Sequence, residues 1–348
     1  MLAIALCAVL AAPQLQETIT VSRVVVDARV TELAGEPITD LVAADFDVRI
    51  GGKRAIVESV EWVPDIESSS RRAVESSSRE DKPPPLDDSK TRRLDDSTRH
   101  PPGRLIVLFV QTDFARNTWR VTGHMKFLQY ADALLDTFAP EDRIAVFSFD
   151  SHLKFRLDFS RDRDAIREAL RQTLFIDYPP PPPMVPSPSL AAYLDRDKMR
   201  RAAQSETGLM LVANAMRSMA GTKTILLLGW GLGERTSSGV SMRHQWRDAR
   251  AALDAARASL FALDTTDADY HTLEAGLIAA AEQTGGFYAK THIFPRVAIE
   301  RLQRTLSGHY ELTLRAPANL GAGTKELSVR VKRRGATVLA PTTVSIRR

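Results

Sequence analysis

Segment 111–115, with the sequence Gln-Thr-Asp-Phe-Ala, follows a continuous apolar run and offers several side-chain oxygens. Hard cations such as Mg²⁺ are held by oxygen ligands in octahedral arrays, preferably anionic ones. Asp113 is the one carboxylate of this segment, and Gln111 and Thr112 contribute neutral oxygens. A metal site here would therefore require a second acid, such as Asp150, to join Asp113.

A second polar segment, 264–271, places oxygens and an imidazole after another apolar run. Its polar members are Asp264, Thr265, Thr266, Asp267, Asp269 and His271. Such residues cap the start of a helix and complement its dipole, which is the favoured interpretation. A cation site is the alternative. His244 and Asp248 share a predicted helix face, but two residues do not make a metal site.

The loop Gly229-Trp230-Gly231-Leu232-Gly233 follows a predicted strand, as a dinucleotide-binding loop would. The third glycine of the G-x-G-x-x-G pattern is missing, because Glu234 and Thr236 stand at the two positions where it could fall. The sequence therefore favours a flexible loop at the end of the sheet. Trp230 is either an anchor for a partner, since aromatic residues dominate binding hot spots, or a side chain packed beneath the loop.

Serine nucleophiles have no recognisable setting in this chain. The Gly-x-Ser-x-Gly elbow of hydrolases is absent from the sequence. Ser148 and Ser151 lie near His152 and Asp150, but a tight hairpin is a poor place for a shaped oxyanion site. We therefore predict that the protein is not an enzyme and needs no cofactor, with an uncharacterised hydrolase as the third choice of function.

The elements that must position these segments alternate between strands and helices over 104–308. Apolar runs predict strands at 104–110, 144–149, 153–159, 224–228, 260–263 and 287–289. Helical spacing predicts helices at 117–138, 162–174, 202–219, 241–258, 272–284 and 295–306. Only three residues separate the second and third strands, too few for a crossover, so these two are antiparallel. The pattern predicts an α/β class: a doubly wound, mostly parallel sheet with one antiparallel edge strand.

The two ends of the chain predict strands without helices. Residues 17–63 contain a strand near 18–30 and a hairpin of 45–50 with 54–62 around Gly51 and Gly52. Residues 309–348 contain further strands, and each set alone is too small to bury a core. We expect both sets to pack together as a β-sandwich. The intervening 64–103 is rich in serine, proline and charge, which predicts a disordered linker.

Composition narrows the class of protein further. The chain has 348 residues, 44% hydrophobic and 26% charged, with a formal net charge of +4. Basic and acidic residues are interleaved, so nucleic acid is a poor candidate partner. The apolar run at 1–12 is too short to span a membrane and resembles the core of a signal peptide, which predicts a leader over 1–16 and export. The single cysteine, Cys7, lies within that run.

Several segments, in order, resemble the VWFA-related Acidobacterial domain proteins, exported bacterial members of the von Willebrand factor type A domain family. The matching segments are 26–30, 38–53, 142–149, 281–288, 310–314 and 326–332. Members of that family hold Mg²⁺ at a metal-ion-dependent adhesion site, built from an Asp and two hydroxyls on one loop, a Thr on a second and an Asp on a third. Here the first loop presents Gln111, Asp113 and Ala115, and the third-loop position falls near Gly229 or Trp230. The loop that should supply Thr is displaced by the proline run at 179–183. The resemblance therefore implies the scaffold with a degenerate metal site.

The combined prediction is a non-enzymatic, exported protein-binding module that uses the rim of the sheet without a bridging metal. The predicted binding residues are Gln111, Thr112, Asp113, Asn117, Trp230, Gly231, Asp264 and Thr265. The alternative is a Mg²⁺- or Mn²⁺-dependent adhesin with a rebuilt site at Asp113. The identity of the protein partner and the oligomeric state do not follow from the sequence.

Overall fold

Strands and helices alternate along the middle of the chain in the computed structural model, whereas both ends are all-β. The structure describes residues 22–33, 35–64, 103–113, 118–173, 188–318 and 320–346. Within these ranges the strands are β1 (Arg23–Thr31), β2 (Phe46–Ile50), β3 (Lys53–Arg54), β4 (Ile56–Pro64), β5 (Leu105–Gln111), β6 (Arg143–Phe149), β7 (Leu153–Ser160), β8 (Lys223–Gly229), β9 (Glu234–Thr236), β10 (Gly239–Ser241), β11 (Ala258–Asp264), β12 (Tyr288–Lys290), β13 (Gly308–Arg315), β14 (Gly323–Val331), β15 (Thr337–Leu339) and β16 (Thr343–Ile346). The helices in the same ranges are α1 (Thr118–Leu128), α2 (Ala131–Leu135), α3 (Arg163–Gln172), α4 (Arg196–Arg201), α5 (Ser205–Met216), α6 (Gln245–Ala256), α7 (Glu274–Gln283) and α8 (Pro295–Thr305).

The central sheet contains six strands in the order β12-β11-β8-β5-β6-β7. Neighbouring strands run parallel except β7, which lies antiparallel to β6 at one edge. Counted in chain order within this sheet, the arrangement is 3-2-1-4-5-6, which is a doubly wound order. The predicted α/β sheet with one antiparallel edge strand is thus confirmed. The order reverses between β5 and β8, and open α/β sheets bind ligands beyond the carboxyl ends of the strands at such a switch point.

Helices cover both faces of the central sheet, as the fully apolar strands require. Successive residues of β5 point to opposite faces, so Val107 and Phe109 belong to one apolar cluster and Ile106 and Leu108 to another. Side chains from α4–α7 complete the first cluster, and side chains from α1–α3 and α8 complete the second. The sheet is therefore a rigid, two-sided platform whose strand ends carry the polar segments.

Strands from the two ends of the chain are interleaved in two antiparallel four-stranded sheets. One sheet has the order β15-β1-β13-β4 and the other has the order β16-β14-β2-β3. Both sheets contribute side chains to a third apolar cluster, which includes Ala28, Val48, Leu312 and Ile346. Tyr310 lies inside this cluster, and its hydroxyl donates to Ile38 O (2.8 Å) and accepts from Leu41 N (3.0 Å). The N- and C-terminal strands thus bury their apolar faces together.

Charged side chains connect this β region to the α/β region. Arg257, just after α6, pairs with Asp27 on β1 and with Glu311 on β13. Arg29 donates to Ser259 Oγ (3.0 Å). Arg250 on α6 donates to the hydroxyls of Thr342 and Thr343. Arginine suits such positions because its planar fork serves several acceptors at once.

Four sequence expectations differ in detail from the structure. The predicted helix 117–138 is two helices, because α1 ends at Leu128 and α2 begins at Ala131. The predicted hairpin partner 54–62 is divided: β3 pairs with β2, whereas β4 crosses to the other sheet and pairs with β13. The flexible loop predicted from Gly229 is followed directly by an unpredicted hairpin of β9 with β10. Strand β16 was not predicted. The leader 1–16, nearly all of the linker 64–103 and the proline run at 179–183 lie outside the described residues.

Candidate functional site

The side chain of Gln111 is buried at the carboxyl end of β5 and makes four hydrogen bonds. Its Oε1 accepts from Trp230 N (2.8 Å) and Gly231 N (3.1 Å). Its Nε2 donates to Gly231 O (2.8 Å) and to Ser205 Oγ (2.9 Å). A primary amide has two N–H donors and two lone pairs on oxygen, so Gln111 uses its full capacity. It connects the end of β5, the loop after β8 and the first residue of α5.

These hydrogen bonds lie at the switch point between β5 and β8, where the strand order reverses. The backbone approaches the amide so closely that a Cβ at Gly229 would overlap Gln111 Oε1. On the other side of β8, Thr265 N donates to Gly229 O (2.9 Å). The structure therefore places Gln111, Gly231 and Thr265 around the end of β8, where each has hydrogen-bond partners within the chain, and their role in binding stays a prediction.

Trp230 is half-buried next to this junction and is covered by a cation. The guanidinium carbon of Arg120 lies 3.2 Å from the centroid of the Trp230 ring. Arg120 also donates to the backbone oxygen of Asp113 (3.3 Å). Burial lowers the pKa of Arg120, and Asp113 partly opposes that shift. The ring of Trp230 is thus covered by Arg120 of α1, and its role as an anchor for a partner stays a prediction. Asn117 lies outside the described residues.

A denser polar cluster lies at the end of the neighbouring strand β11. The buried carboxylate of Asp264 accepts from Thr266 N on Oδ1 (2.9 Å), and on Oδ2 from Tyr288 Oη (2.8 Å) and His271 Nε2 (2.7 Å). The same tyrosine hydroxyl lies 3.3 Å from Glu274 Oε2, which pairs with Lys290 Nζ at 2.8 Å. The end of β11, the turn before α7 and the start of β12 thus meet at the carboxylate of Asp264.

The pKa shifts in this cluster follow from its hydrogen bonds. Burial raises the pKa of Asp264, but donation from His271, Thr266 and Tyr288 outweighs burial and holds the pKa below its ordinary value. Burial and the carboxylates of Asp264 and Glu274 raise the pKa of Tyr288. Asp264 is therefore an anion held in place by donors, and Tyr288 keeps its proton and donates.

Asp150, the acid that would have to join Asp113 in a rebuilt metal site, contacts a lysine and a backbone N–H. Asp150 pairs with Lys154 Nζ (2.6 Å) and accepts from Ser151 N (2.5 Å). Within the described ranges, one group of three His, Asp or Glu side chains has ligand atoms close enough to share an ion: Asp264, His271 and Glu274. That group does not contain Asp113 or Asp150.

The serines near His152 do not form a catalytic arrangement. Ser151 Oγ lies 3.0 Å from His152 Nδ1, and the carboxylate of Asp150 faces the same nitrogen at 3.8 Å. A catalytic triad needs the acid to hold the second ring nitrogen, leaving the first to accept the serine proton. Ser148 is buried and accepts from Arg156 Nε (2.7 Å), which engages its hydroxyl.

An apolar surface that the sequence did not reveal lies on the segments that follow β5, β11 and β12, and one of its residues, Ile293, lines a cleft of about 270 Å³. Its large side chains are Trp119 (60% exposed), Tyr270 (69%), Ile293 (61%) and Phe294 (68%), and we call them the apolar rim. Lys126, Asp267 and His292 line the cleft. Each rim residue follows a strand of the central sheet at its carboxyl end: Trp119 follows β5, Tyr270 follows β11, and the other two follow β12.

Close backbone packing holds the parts of the apolar rim together. A Cβ at Gly123 would overlap the backbone at Thr265, so α1 lies directly on the loop after β11. Asp267 N donates to Trp119 O (3.0 Å), and Asp267 Oδ1 pairs with His292 Nδ1 (2.6 Å). Lys126 Nζ contacts both oxygens of the same carboxylate (2.8 Å each). Asp267 therefore joins α1 to the segments after β11 and β12.

Some of these residues had a sequence signal and others had none. His271 and Glu274 are three residues apart at the start of a predicted helix, a spacing that places both side chains on one side. Tyr288, Lys290 and Ser205 are remote in sequence from the residues they contact, so only the fold brings them together. Ile293 and Phe294 precede a predicted helix and would ordinarily be expected to pack inward.

Comparisons with solved structures found similar chains, among them one von Willebrand factor type A protein. No protein-family model and no curated protein matches the chain. It is similar to the conserved hypothetical protein BatB from Bacteroides thetaiotaomicron, with 12% identity over 59% of this chain and 98% of that one and a TM-score of 0.38. A von Willebrand factor type A protein from Catenulispora acidiphila shows 12% identity over 70% of this chain and 65% of its own, with a TM-score of 0.38.

Proximal thread matrix protein 1 from the mussel byssus, solved with a zinc-occupied MIDAS motif, shows 13% identity over 61% of this chain, with a TM-score of 0.39. The chain covers 47% of that protein, so it spans about half its length. TM-scores this low carry no argument about function or about metal binding in this chain. Among the described residues, no helix is long and apolar enough to cross a membrane.

Proposed function

We propose that this protein is a non-enzymatic binding module that holds a protein partner on the apolar rim. The observation that carries the proposal is the exposure of four large apolar side chains on three strand-end segments, one of which, Ile293, lines the cleft. Exposed apolar clusters on soluble proteins mark interaction sites, and aromatic residues supply most of the binding energy at such sites. The polar residues of the cleft, Lys126 and Asp267, would provide orientation rather than affinity.

The hydrogen bonds of Gln111 support binding without a bridging metal. A metal-bridged adhesin needs anionic oxygens and an open coordination position at the switch point. Here a neutral amide stands at the end of β5, and backbone groups already occupy both of its polar atoms. The proposed binding surface therefore shares the segment after β11 with the predicted one and extends over β12 and α1, whereas the predicted surface also included the ends of β5 and β8.

The wider setting is also part of this proposal. We infer that the N- and C-terminal strands form one β-sandwich that carries the α/β domain as an insertion, because both sheets share a single apolar cluster. The apolar run at 1–12 supports export of the protein to the cell envelope or beyond.

Capture from the envelope fraction of the producing cell tests the proposal. The wild-type chain, a Trp119→Ser/Phe294→Ser double variant and a Leu33→Ser control are immobilised in parallel, and bound proteins are compared. Leu33 is the matched control because it is an exposed apolar residue of the β region (93%). We expect one partner to be captured by the wild type and the control and lost from the double variant. Equal capture by all three would contradict the proposal.

The metal-dependent alternative is separated by repeating the capture in EDTA. Binding through the apolar rim persists in EDTA, because no ion bridges the partners. Loss of the partner in EDTA, its return with Mg²⁺ or Mn²⁺ and its absence in Asp113→Ala would instead establish an adhesin with a site rebuilt at Asp113.

A further inference from the structure

Three side chains with ligand atoms suited to a transition metal meet behind the apolar rim. Asp264 is the last residue of β11, His271 lies in the turn before α7, and Glu274 is the first residue of α7. One ligand atom from each lies within 4.8 Å of the other two. Zinc–ligand distances of about 2.0–2.2 Å place neighbouring ligand atoms about 3.3–3.6 Å apart, so small side-chain rotations bring these atoms into position.

We propose that Asp264, His271 and Glu274 bind a divalent transition-metal ion of the Zn²⁺ class. An imidazole nitrogen with two carboxylate oxygens suits Zn²⁺, whereas Mg²⁺ takes oxygen ligands and keeps much of its hydration shell. Three protein ligands leave a fourth position for water or another donor. This site is separate from the Gln111 junction, and it does not depend on the proposed partner binding.

The structure orients the ligands before any ion arrives. Thr266 N holds Asp264 Oδ1 (2.9 Å), which leaves Oδ2 directed at His271 Nε2 (2.7 Å). An incoming ion would take the place of the proton between these two atoms, and that proton would be released to solvent. The Tyr288 hydroxyl contacts both carboxylates, at 2.8 Å from Asp264 and 3.3 Å from Glu274. Groups that hydrogen-bond to metal ligands fix their orientation, and their removal commonly weakens metal binding about 10- to 100-fold.

One cation already lies in the cluster and would compete with the metal. Lys290 Nζ pairs with Glu274 Oε2 (2.8 Å) and also donates to the backbone oxygen of Asp269. An incoming metal ion would displace Lys290 from Glu274, and the lysine would keep its second acceptor. The ion would then connect the end of β11 to the start of α7 and fix the intervening loop, which carries Tyr270.

Titration of the untagged, EDTA-treated full chain with ZnCl₂ alone tests the site. We expect one equivalent to bind at micromolar concentration and to raise the melting temperature by about 5 °C or more at 100-fold excess over the dissociation constant. His271→Ala and Glu274→Gln each lower the affinity at least about 100-fold, because each removes a ligand. Glu274→Gln keeps the shape of the side chain, so it remains informative if His271→Ala does not fold.

Two further variants separate this site from adventitious binding by surface histidines. His244→Ala removes an exposed imidazole at the start of α6 and leaves zinc binding unchanged, whereas Lys290→Met removes the competing cation and strengthens it. Anomalous diffraction at the zinc edge places the ion between Asp264, His271 and Glu274. No binding at a hundred micromolar, equal binding by Glu274→Gln, or loss of binding in His244→Ala would each overturn the proposal.

Discussion

The junction at Gln111 and the cluster at Asp264 both lie at the carboxyl ends of strands in the central sheet, and both join separate segments by side-chain hydrogen bonds. The two side chains differ in charge and in their ability to donate. At the end of β5 a neutral amide donates two hydrogen bonds and accepts two, all from groups of the same chain. At the end of β11 an anionic carboxylate only accepts, and its donors include an imidazole and a phenol. The first arrangement is complete without a cation; the second concentrates negative charge.

In both places a buried side chain at the end of a strand joins segments that are distant in sequence. That side chain is neutral at β5 and charged at β11. A carboxylate cannot donate, so it depends on its neighbours for every hydrogen bond and for charge balance. An amide can serve a backbone N–H and a backbone C=O at once, as Gln111 does at Gly231. A second acid, Asp254 on α6, sharpens the comparison: it is half-buried, and its carboxylate accepts from the hydroxyl of Thr343.

The largest effect is expected from Gln111→Glu, which keeps the size of the side chain and exchanges donors for charge. The new carboxylate would face Gly231 O without a proton to donate, in a buried site. We expect the free energy of unfolding to fall by about 3–5 kcal/mol, measured by urea denaturation. The matched control is Gln129→Glu, the same change at an exposed position. A Gln111→Glu variant as stable as wild type would show that the amide does not act as the cross-link.

The second-largest effect is expected in the pH dependence of stability, through the carboxyl of Asp254. Burial raises its pKa to about 6, and the Thr343 hydroxyl and Arg250 only partly oppose that shift. The folded chain therefore holds this proton more tightly than the unfolded chain, so the contribution to stability is complete below about pH 4 and is lost as pH rises through 6. Asp254→Asn should stabilise the protein at pH 8 by about 2–3 kcal/mol and change little at pH 4.

Thermal or urea denaturation at pH 4, 6 and 8 measures this dependence. Asp248→Asn, the same change at an exposed acid on the same helix, serves as the control for the loss of one carboxylate. A constant difference between Asp254→Asn and wild type across this range would mean that the Asp254 carboxyl titrates alike in the folded and unfolded chains, and the contrast with Asp264 would fail.

The smallest effect is expected from Tyr288→Phe, which removes the hydroxyl shared by Asp264 and Glu274. Asp264 keeps its bonds from His271 and Thr266, so the loss should be about 1 kcal/mol in the free energy of unfolding. Tyr193→Phe, at an exposed tyrosine (58%), should be neutral. A loss of several kcal/mol would show that the phenol, rather than the imidazole, is the main support of the carboxylate.

The sequence predicted the central sheet well because its signals are local. Continuous apolar runs such as 105–110 require cover on both faces, and a three-residue connection forces β6 and β7 to be antiparallel. The break between α1 and α2 and the crossing of β4 to the other sheet were not predictable in this way. Both features depend on which other segment each element packs against. The periodicity of apolar residues indicates the type of an element but not its packing partner.

The residues of the candidate site likewise fall into those that the sequence could identify and those that it could not. The residues at strand ends were identifiable, since polar segments directly after apolar runs must lie at the edge of the sheet. Their partners were not, because Ser205, Tyr288 and Lys290 reach them only through the order of the strands. The exposure of Ile293 and Phe294 likewise does not follow from their apolar character.

By itself, the sequence determined that β5 ends in an amide and β11 in a carboxylate, and therefore which strand end carries the charge. Only the tertiary structure decided that the amide is fully hydrogen-bonded and that an imidazole and a second carboxylate lie beside Asp264. The physical reason is that residue type sets the capacity to donate, accept or carry charge. Whether that capacity is satisfied within the chain depends on distances of about 3 Å between segments far apart in sequence.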